Sequence, residues 1–148
     1  MSKPDTLPPL EAFPGQQAVT LRYNDTDRQG HVNNAVFVTL LESGRVPILY
    51  DQDASMPPAG TQFVIANLNL DFVSELDWRS PVTVGTAVIK MGTSSVRFAQ
   101  IIVQDGQVAG RAETIIVLMD NETRRATPLP EAARAELEAY WLVGAARD

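Results

Sequence analysis

The chain contains no cysteine, which excludes disulfide bonds, thiolate nucleophiles and metal sites built on cysteine. Histidine is represented only by His31, so a metal site made of clustered histidines is excluded as well. Lysine and arginine number 12 against 18 acidic residues, and this balance argues against a nucleic-acid-binding protein, because neutralising phosphates requires a basic face. Any reaction that this chain catalyses therefore depends on groups other than a thiol.

The sequence also lacks long apolar runs and a targeting segment. No run approaches the roughly 20 apolar residues that cross a bilayer, and the first residues do not have the basic and apolar regions of a signal peptide. These features predict a cytoplasmic protein. The 148 residues, 45% of them hydrophobic, fit one domain, which we assign to residues 17–148. Residues 1–16 are rich in proline and are predicted to form an extended, poorly ordered lead-in.

Hydrophobic periodicity predicts a strand, a long helix and then four strands. The alternation of Val19, Leu21 and Tyr23 predicts a half-buried strand over residues 18–23. Residues 34–50 have a wide apolar surface, which predicts a mostly buried helix with Asn33 as its N-cap and Pro47 as a kink or restart near its end. The remaining predicted elements are strands over residues 64–72, 82–90, 96–103 and 108–119, a tight hairpin turn at Asp105-Gly106 and a short helix over residues 131–141.

The most informative stretch is the run from Asn24 to Asn34, which places Asp25 and Asp27 just before the predicted helix start. A helix start offers free backbone N–H groups and a partial positive charge that polarise a carbonyl oxygen, and a nearby carboxylate can act as a base or a nucleophile. Aspartates before a helix also serve as turn and capping residues, and this plainer interpretation stays open for both. A calcium loop beginning at Asp25 is disfavoured, because its twelfth position is Val36 instead of a glutamate.

The run Asp25-Thr26-Asp27 and Gly30-His31-Val32-Asn33-Asn34, with Glu42, Arg45 and the element order, resembles the hotdog-fold acyl-CoA thioesterases of the 4-hydroxybenzoyl-CoA thioesterase type. The resemblance implies an α+β hotdog fold, in which an antiparallel sheet of about five strands wraps around one long buried helix, plus a short C-terminal helix. It implies hydrolysis of acyl-CoA thioesters to free acid and coenzyme A, with no metal and no cofactor beyond the coenzyme A of the substrate. Family members are homodimers or homotetramers that bind coenzyme A across a subunit interface.

The resemblance also assigns roles to individual residues. It implies that Asp27 is the catalytic carboxylate, as nucleophile or as base toward water, that Asp25 supports it, and that the backbone N–H of Asn34 holds the thioester carbonyl. If the Asn33 side chain caps the N–H of residue 35 or 36, the Asn34 N–H stays free for a developing oxyanion. Phe37 departs from the family pattern, since an aromatic hydroxyl is common at that position.

The roles of several other residues stay open. His31 orients the loop, contacts the substrate or acts as a general base. Glu42 is a second candidate base, although an i,i+3 ion pair with Arg45 is the plain explanation of its position. The cations that could bind the phosphates of coenzyme A, or simply face solvent, include Arg79, Arg97 and the Arg124-Arg125 pair.

Two other functions fit the same fold. One is a noncatalytic hotdog module that binds acyl-CoA or a partner protein, and the other is a thioesterase that acts on acyl-carrier protein. The retained Asp27 beside a helix start favours catalysis over the first, because a pure binder does not need a carboxylate near a thioester. The sequence does not define the acyl group.

Overall fold

The structure of the protein is a computed structural model that describes residues 7–50 and 56–146. Within these residues, a five-stranded antiparallel sheet and two α-helices form the fold, with strand order β1-β3-β4-β5-β2. The strands are β1 (Gly15–Val19), β2 (Thr61–Phe72), β3 (Val82–Met91), β4 (Ser95–Gln104) and β5 (Gln107–Asp120), and the helices are α1 (Asn34–Leu49) and α2 (Glu131–Glu138). Strands β1 and β2 are therefore the edges of the sheet.

Helix α1 packs its apolar side on one face of the sheet, against β1, β3 and β4. Phe37, Leu40 and Leu41 are at most 3% exposed there. Gly44 permits the close approach, because a Cβ atom at this position would lie 2.6 Å from Cγ1 of Val84. Val46, on the other side of the helix, is 43% exposed, so the predicted burial of the helix holds only for the side that faces the sheet. A hydrophobic helix held against an antiparallel sheet confirms the predicted hotdog fold.

A buried polar network connects α1 to the sheet. Arg45 is 6% exposed, and its Nη1 donates to Oε1 of Gln100 at 3.0 Å and to Oγ1 of Thr114 at 3.5 Å. Gln100 Nε2 in turn donates to the carbonyl oxygen of Leu41 at 2.9 Å. Burial lowers the pKa of Arg45, and the charge of Glu42 opposes this shift. The predicted Glu42–Arg45 ion pair is wrong for the described residues, because the arginine turns into the sheet instead.

The beginning of the domain differs from the prediction. Strand β1 covers Gly15–Val19 instead of residues 18–23, and Tyr23, expected on the buried side of a strand, is 73% exposed. The strand lies where it does because Gly15 allows close contact, since a Cβ atom there would come within 2.9 Å of Cδ1 of Ile48. Of the predicted lead-in, residues 1–6 lie outside the described residues. Residues 7–16 are not poorly ordered, because Phe13 is 2% exposed and packs on the outer face of the sheet.

The remaining elements agree with the prediction, except that helix α2 ends at Glu138 instead of residue 141. Strands β3, β4 and β5 form the expected antiparallel meander, and the turn at residues 105–106 joins β4 to β5. Helix α1 runs through Pro47 as one element and ends two residues later, at Leu49. Leu137 of α2 is fully buried against the end of the core that contains Val88 and Phe98. In the described parts of the chain, no helix is long and apolar enough to cross a membrane.

Candidate active site

The loop that precedes α1 closes on itself. Thr26 and Val32 form an isolated antiparallel bridge, and between them the N–H of Asp27 donates to the carbonyl oxygen of His31 at 2.8 Å. Gly30 has a φ of 82°, in the left-handed region that glycine adopts most readily, and its N–H donates to the carbonyl oxygen of Asp27 at 3.0 Å. These contacts fix Asp27 and His31 on one small turn directly before the helix.

The two carboxylate oxygens of Asp27 are in different situations. Oδ1 accepts hydrogen bonds from the backbone N–H groups of Gln29 at 2.8 Å and of His31 at 3.3 Å. Oδ2 has no hydrogen-bond partner among the residues that the structure describes, and Asp27 is exposed. One oxygen therefore has the turn-stabilising role, and the other is left for a ligand.

Asn33 caps helix α1 as predicted. Its Oδ1 accepts the N–H of Ala35 at 2.9 Å, and its carbonyl oxygen accepts the N–H of Val36 at 2.9 Å. The N–H of Asn34 has no acceptor in residues 7–50 and 56–146. The first turn of the helix therefore leaves one donor available, at the end where the helix dipole favours negative charge.

Asp25 is a capping residue. Its carboxylate accepts the backbone N–H of Arg22 at 2.8 Å and the guanidinium of Arg22 at 3.1 Å. These contacts lower its pKa below the ordinary value of 3.8, and the backbone N–H of Arg22 is the larger cause. The carbonyl oxygen of Asp25 accepts the N–H of Asn33 at 2.8 Å. Asp25 therefore holds the cap residue Asn33 through its backbone carbonyl, while its carboxylate binds Arg22.

Asp27, His31 and Asn34 line one cleft of about 320 Å³. Its opposite wall comes from the end of β2 and the loop that follows, where Glu75 places Oε2 at 3.1 Å from Nε2 of His31. Two aromatic rings also line the cleft, and the ring of Phe37 meets that of Phe72 edge to face with centroids 5.0 Å apart. The other lining residues are Gln29, Val32, Val73 and Ser74. The sequence prediction missed the wall from β2, because no local pattern connects it to the Asp27 loop.

Glu42 is not the second base of this cleft. It follows Asn34 by two helical turns, a rise of about 12 Å along the axis. It is exposed and lines a separate cleft with Thr20 and Val46. The expectation of a second carboxylate from α1 is therefore wrong for this site.

The predicted phosphate-binding cations also lie outside the cleft. Arg79 pairs with Asp77 at 3.2 Å, and Arg97 pairs with Glu113 at 3.5 Å. By contrast, Arg124 and Arg125 are exposed in the turn after β5 and form no ion pair within the described chain. The described residues contain no group of three histidine or carboxylate side chains that could hold a metal ion.

The family model described as "Thioesterase-like superfamily" matches residues 21–137, which include the Asp27 loop, α1 and strands β2 to β5. The chain belongs to this superfamily. The thioesterase family predicted from the sequence is thereby confirmed at the level of the superfamily. In a member of the thioesterase-like superfamily, a cleft that combines a free carboxylate oxygen with a free helix N–H is the candidate active site.

Individual proteins that are similar to this chain are also named as thioesterases. A thioesterase from Thermus thermophilus, whose crystal structure is complexed with coenzyme A and Zn, is 31% identical with a TM-score of 0.78, over 88% of this chain and 96% of that chain. The long-chain acyl-CoA thioesterase FadM of Escherichia coli (strain K12) is 27% identical over 83% of this chain and 96% of FadM. The chloroplastic palmitoyl-acyl carrier protein thioesterase of Cuphea hookeriana is 28% identical over 67% of this chain. The matched region covers only 23% of that longer protein.

Proposed function

We propose that this protein hydrolyses acyl-CoA thioesters, with Asp27 as base or nucleophile and the Asn34 N–H as the oxyanion donor. The observation that carries the proposal is the pairing, in one cleft, of the free Oδ2 of Asp27 with the free N–H of Asn34. Thioester hydrolysis uses both groups. The carboxylate serves as base or nucleophile, and the N–H stabilises the negative charge that attack on the carbonyl carbon builds on the carbonyl oxygen. A relative named as an acyl-CoA thioesterase and a neighbour complexed with coenzyme A support the substrate class.

The proposed reaction has two routes that share the same groups. In the first, Oδ2 takes a proton from water, the oxygen attacks the carbonyl carbon, and the carbon–sulfur bond then breaks to release the thiolate. In the second, Oδ2 attacks the carbon itself, the carbon–sulfur bond breaks to release the thiolate, and water then cleaves the resulting anhydride. In both, the Asn34 N–H stabilises the oxyanion. Turnover in ¹⁸O-labelled water identifies the second route when water attacks the Asp27 carbonyl carbon of the anhydride, because repeated turnovers then leave label in the Asp27 side chain.

The proposed active form is a homodimer formed through β2. This edge strand is 12 residues long and pairs with no other described strand along its outer edge. It carries exposed apolar side chains at Ile65 and Phe72, which are 51% and 52% exposed. Antiparallel pairing of β2 with the β2 strand of a second copy would extend the sheet and cover the cleft wall. Light scattering should give at least twice the chain mass of 16.2 kDa, and a monomer would contradict this arrangement.

The same pairing suggests which cations meet coenzyme A. The N–H of Asn121 donates to the carbonyl oxygen of Gly60 at 2.9 Å, so the turn that carries Arg124 and Arg125 lies beside the start of β2. The Asp27 cleft lies at the other end of β2. In an antiparallel pair, the start of one strand lies beside the end of the other. The partner subunit's Arg124 would thus lie toward the cleft, within reach of the phosphates of coenzyme A.

An acyl-carrier-protein thioesterase is the second candidate, and the similarity to the Cuphea hookeriana enzyme favours it. The two are separated by substrate. We expect purified protein to release free thiol from an acyl-CoA panel, with Asp27→Ala abolishing the release. Faster release from acyl-carrier protein would favour the second candidate. Saturable binding of acyl-CoA without thiol release from either substrate would refute both thioesterase functions and would support a noncatalytic acyl-CoA-binding module.

A further inference from the structure

We propose that Glu75 is a positioning residue that holds the imidazole of His31 for proton delivery to the leaving thiolate. The inference rests on the proposed thioesterase function. Oε2 of Glu75 lies 3.1 Å from Nε2 of His31, and both side chains line the Asp27 cleft. No sequence pattern connects these two residues, since Glu75 lies in the loop between β2 and β3.

The backbone of Glu75 is fixed on both sides, although its side chain is 71% exposed. The N–H of Ser74 donates to the carbonyl oxygen of Ala109 at 3.1 Å, and its hydroxyl donates to the carbonyl oxygen of Val108 at 3.0 Å. On the other side, Leu76 is 2% exposed, and its carbonyl oxygen accepts the N–H of Val32 at 3.4 Å. The backbone that carries the Glu75 carboxylate is therefore held in place, in a loop that is hydrogen-bonded to the Asp27 turn through Val32.

His31 is held by its backbone and by its ring. Its N–H donates to Oδ1 of Asp27, and its carbonyl oxygen accepts the N–H of Asp27. With Nε2 facing Oε2 of Glu75 at 3.1 Å, Nδ1 is the nitrogen left to exchange a proton with a ligand. The contact with Glu75 thus selects the orientation in which the imidazole meets the substrate.

The charges that line the cleft indicate what the His31–Glu75 pair does. Two of the described lining residues, Asp27 and Glu75, carry carboxylates. Among the described lining residues, only His31 has a side chain that can carry a positive charge. Release of a thiolate adds a further negative charge beside these carboxylates. When the carbon–sulfur bond breaks, its electron pair stays on sulfur, and the imidazolium of His31 gives sulfur a proton to form the neutral thiol. The proton lost by the water that is consumed in the reaction then restores the imidazolium through solvent.

The test compares two thioesters of the same acyl group, one of coenzyme A and one of thiophenol. Thiophenolate is a much weaker base than an alkyl thiolate, so it leaves without a proton. We expect Glu75→Gln to lower kcat on the acyl-CoA about 10-fold with KM within about 2-fold, and to change kcat on the S-phenyl ester by less than about 2-fold. His31→Gln should show the same pattern more strongly, and the double variant should be no slower than His31→Gln.

Glu113→Gln is the matched control, because Glu113 also pairs with a cation, Arg97, but lies outside the cleft. It should leave both esters unaffected. Equal losses on both esters for Glu75→Gln, or multiplying losses in the double variant, would assign Glu75 a merely structural role and overturn the proposal. Failure of the wild-type protein to cleave any thioester would instead refute the proposed function, and this inference with it.

Discussion

The helix cap at Asn33 allows stability and catalysis to be separated by substitution. Asn33→Ala removes the hydrogen bond to the N–H of Ala35 and should lower the free energy of unfolding by about 1 kcal/mol. For a chain of this size, that corresponds to a loss of roughly 2–4 °C in Tm. The first turn of α1 then loosens, and the Asn34 N–H loses its fixed direction. Since deleting an oxyanion donor outright costs about 10²–10³ in kcat, we expect at least a 10-fold loss.

Asn33→Asp distinguishes the two effects, because aspartate is as good a cap as asparagine. The free energy of unfolding should therefore stay near the wild-type value. The added carboxylate, however, would lie roughly 5 Å from an oxyanion held by the neighbouring Asn34 N–H. At an effective dielectric constant of about 20, the repulsion is roughly 3 kcal/mol, which predicts a loss in kcat of about 10². Asn33→Ser, a neutral cap, should retain both stability and activity.

The assay pairs thermal unfolding with steady-state thiol release for the three variants. The reasoning predicts that Ala loses both properties, Asp loses only kcat, and Ser loses neither. An Asn33→Asp variant with wild-type kcat would refute it, because no negative charge could then be developing beside the Asn34 N–H. Loss of stability in Asn33→Ala with unchanged kcat would also contradict the prediction, because the cap would then have no effect on catalysis.

Three further outcomes follow from the contacts. Arg45→Met should lower the free energy of unfolding in urea by about 1.5–3 kcal/mol, because buried Gln100 loses a charged donor; unchanged stability would mean that desolvation of the arginine offsets the bond. Asp25→Asn should be less stable than wild type above pH 3.8, with the difference lost as pH falls through the depressed pKa of Asp25; a difference that does not shrink as pH falls below 3.8 would contradict this. Glu42→Gln should keep kcat within about 2-fold, and a larger loss would return Glu42 to the site.

One half of the cleft could be predicted from the sequence because it lies within one short stretch of chain. The turn that holds Asp27 and the cap at Asn33 depend on hydrogen bonds between residues at most four positions apart. Such contacts leave a recognisable pattern of aspartate, glycine and asparagine before a helix. The free N–H of Asn34 follows from the cap geometry alone.

The other half could not be predicted, because it depends on where an edge strand ends. Glu75 and Phe72 reach the cleft only because β2 lies beside β5 and its following loop is tied to Ala109. The same limit applies to Arg45, whose spacing from Glu42 suggested an ion pair on the helix surface. Arg45 bonds to Gln100 instead of Glu42 because it lies on the face of α1 that meets the sheet.

The two aspartates of the motif differ in the number of oxygens left free. Both oxygens of Asp25 accept hydrogen bonds from Arg22, and its pKa falls, which makes it a weaker base. Asp27 has Oδ1 engaged by backbone N–H groups but keeps Oδ2 without a partner in the described structure. The spacing of the motif does not distinguish the two, since either could pair with Arg22. The turn closed by Gly30 makes the distinction, because it points two N–H groups at one oxygen of Asp27 and leaves the other available to take a proton or attack carbon.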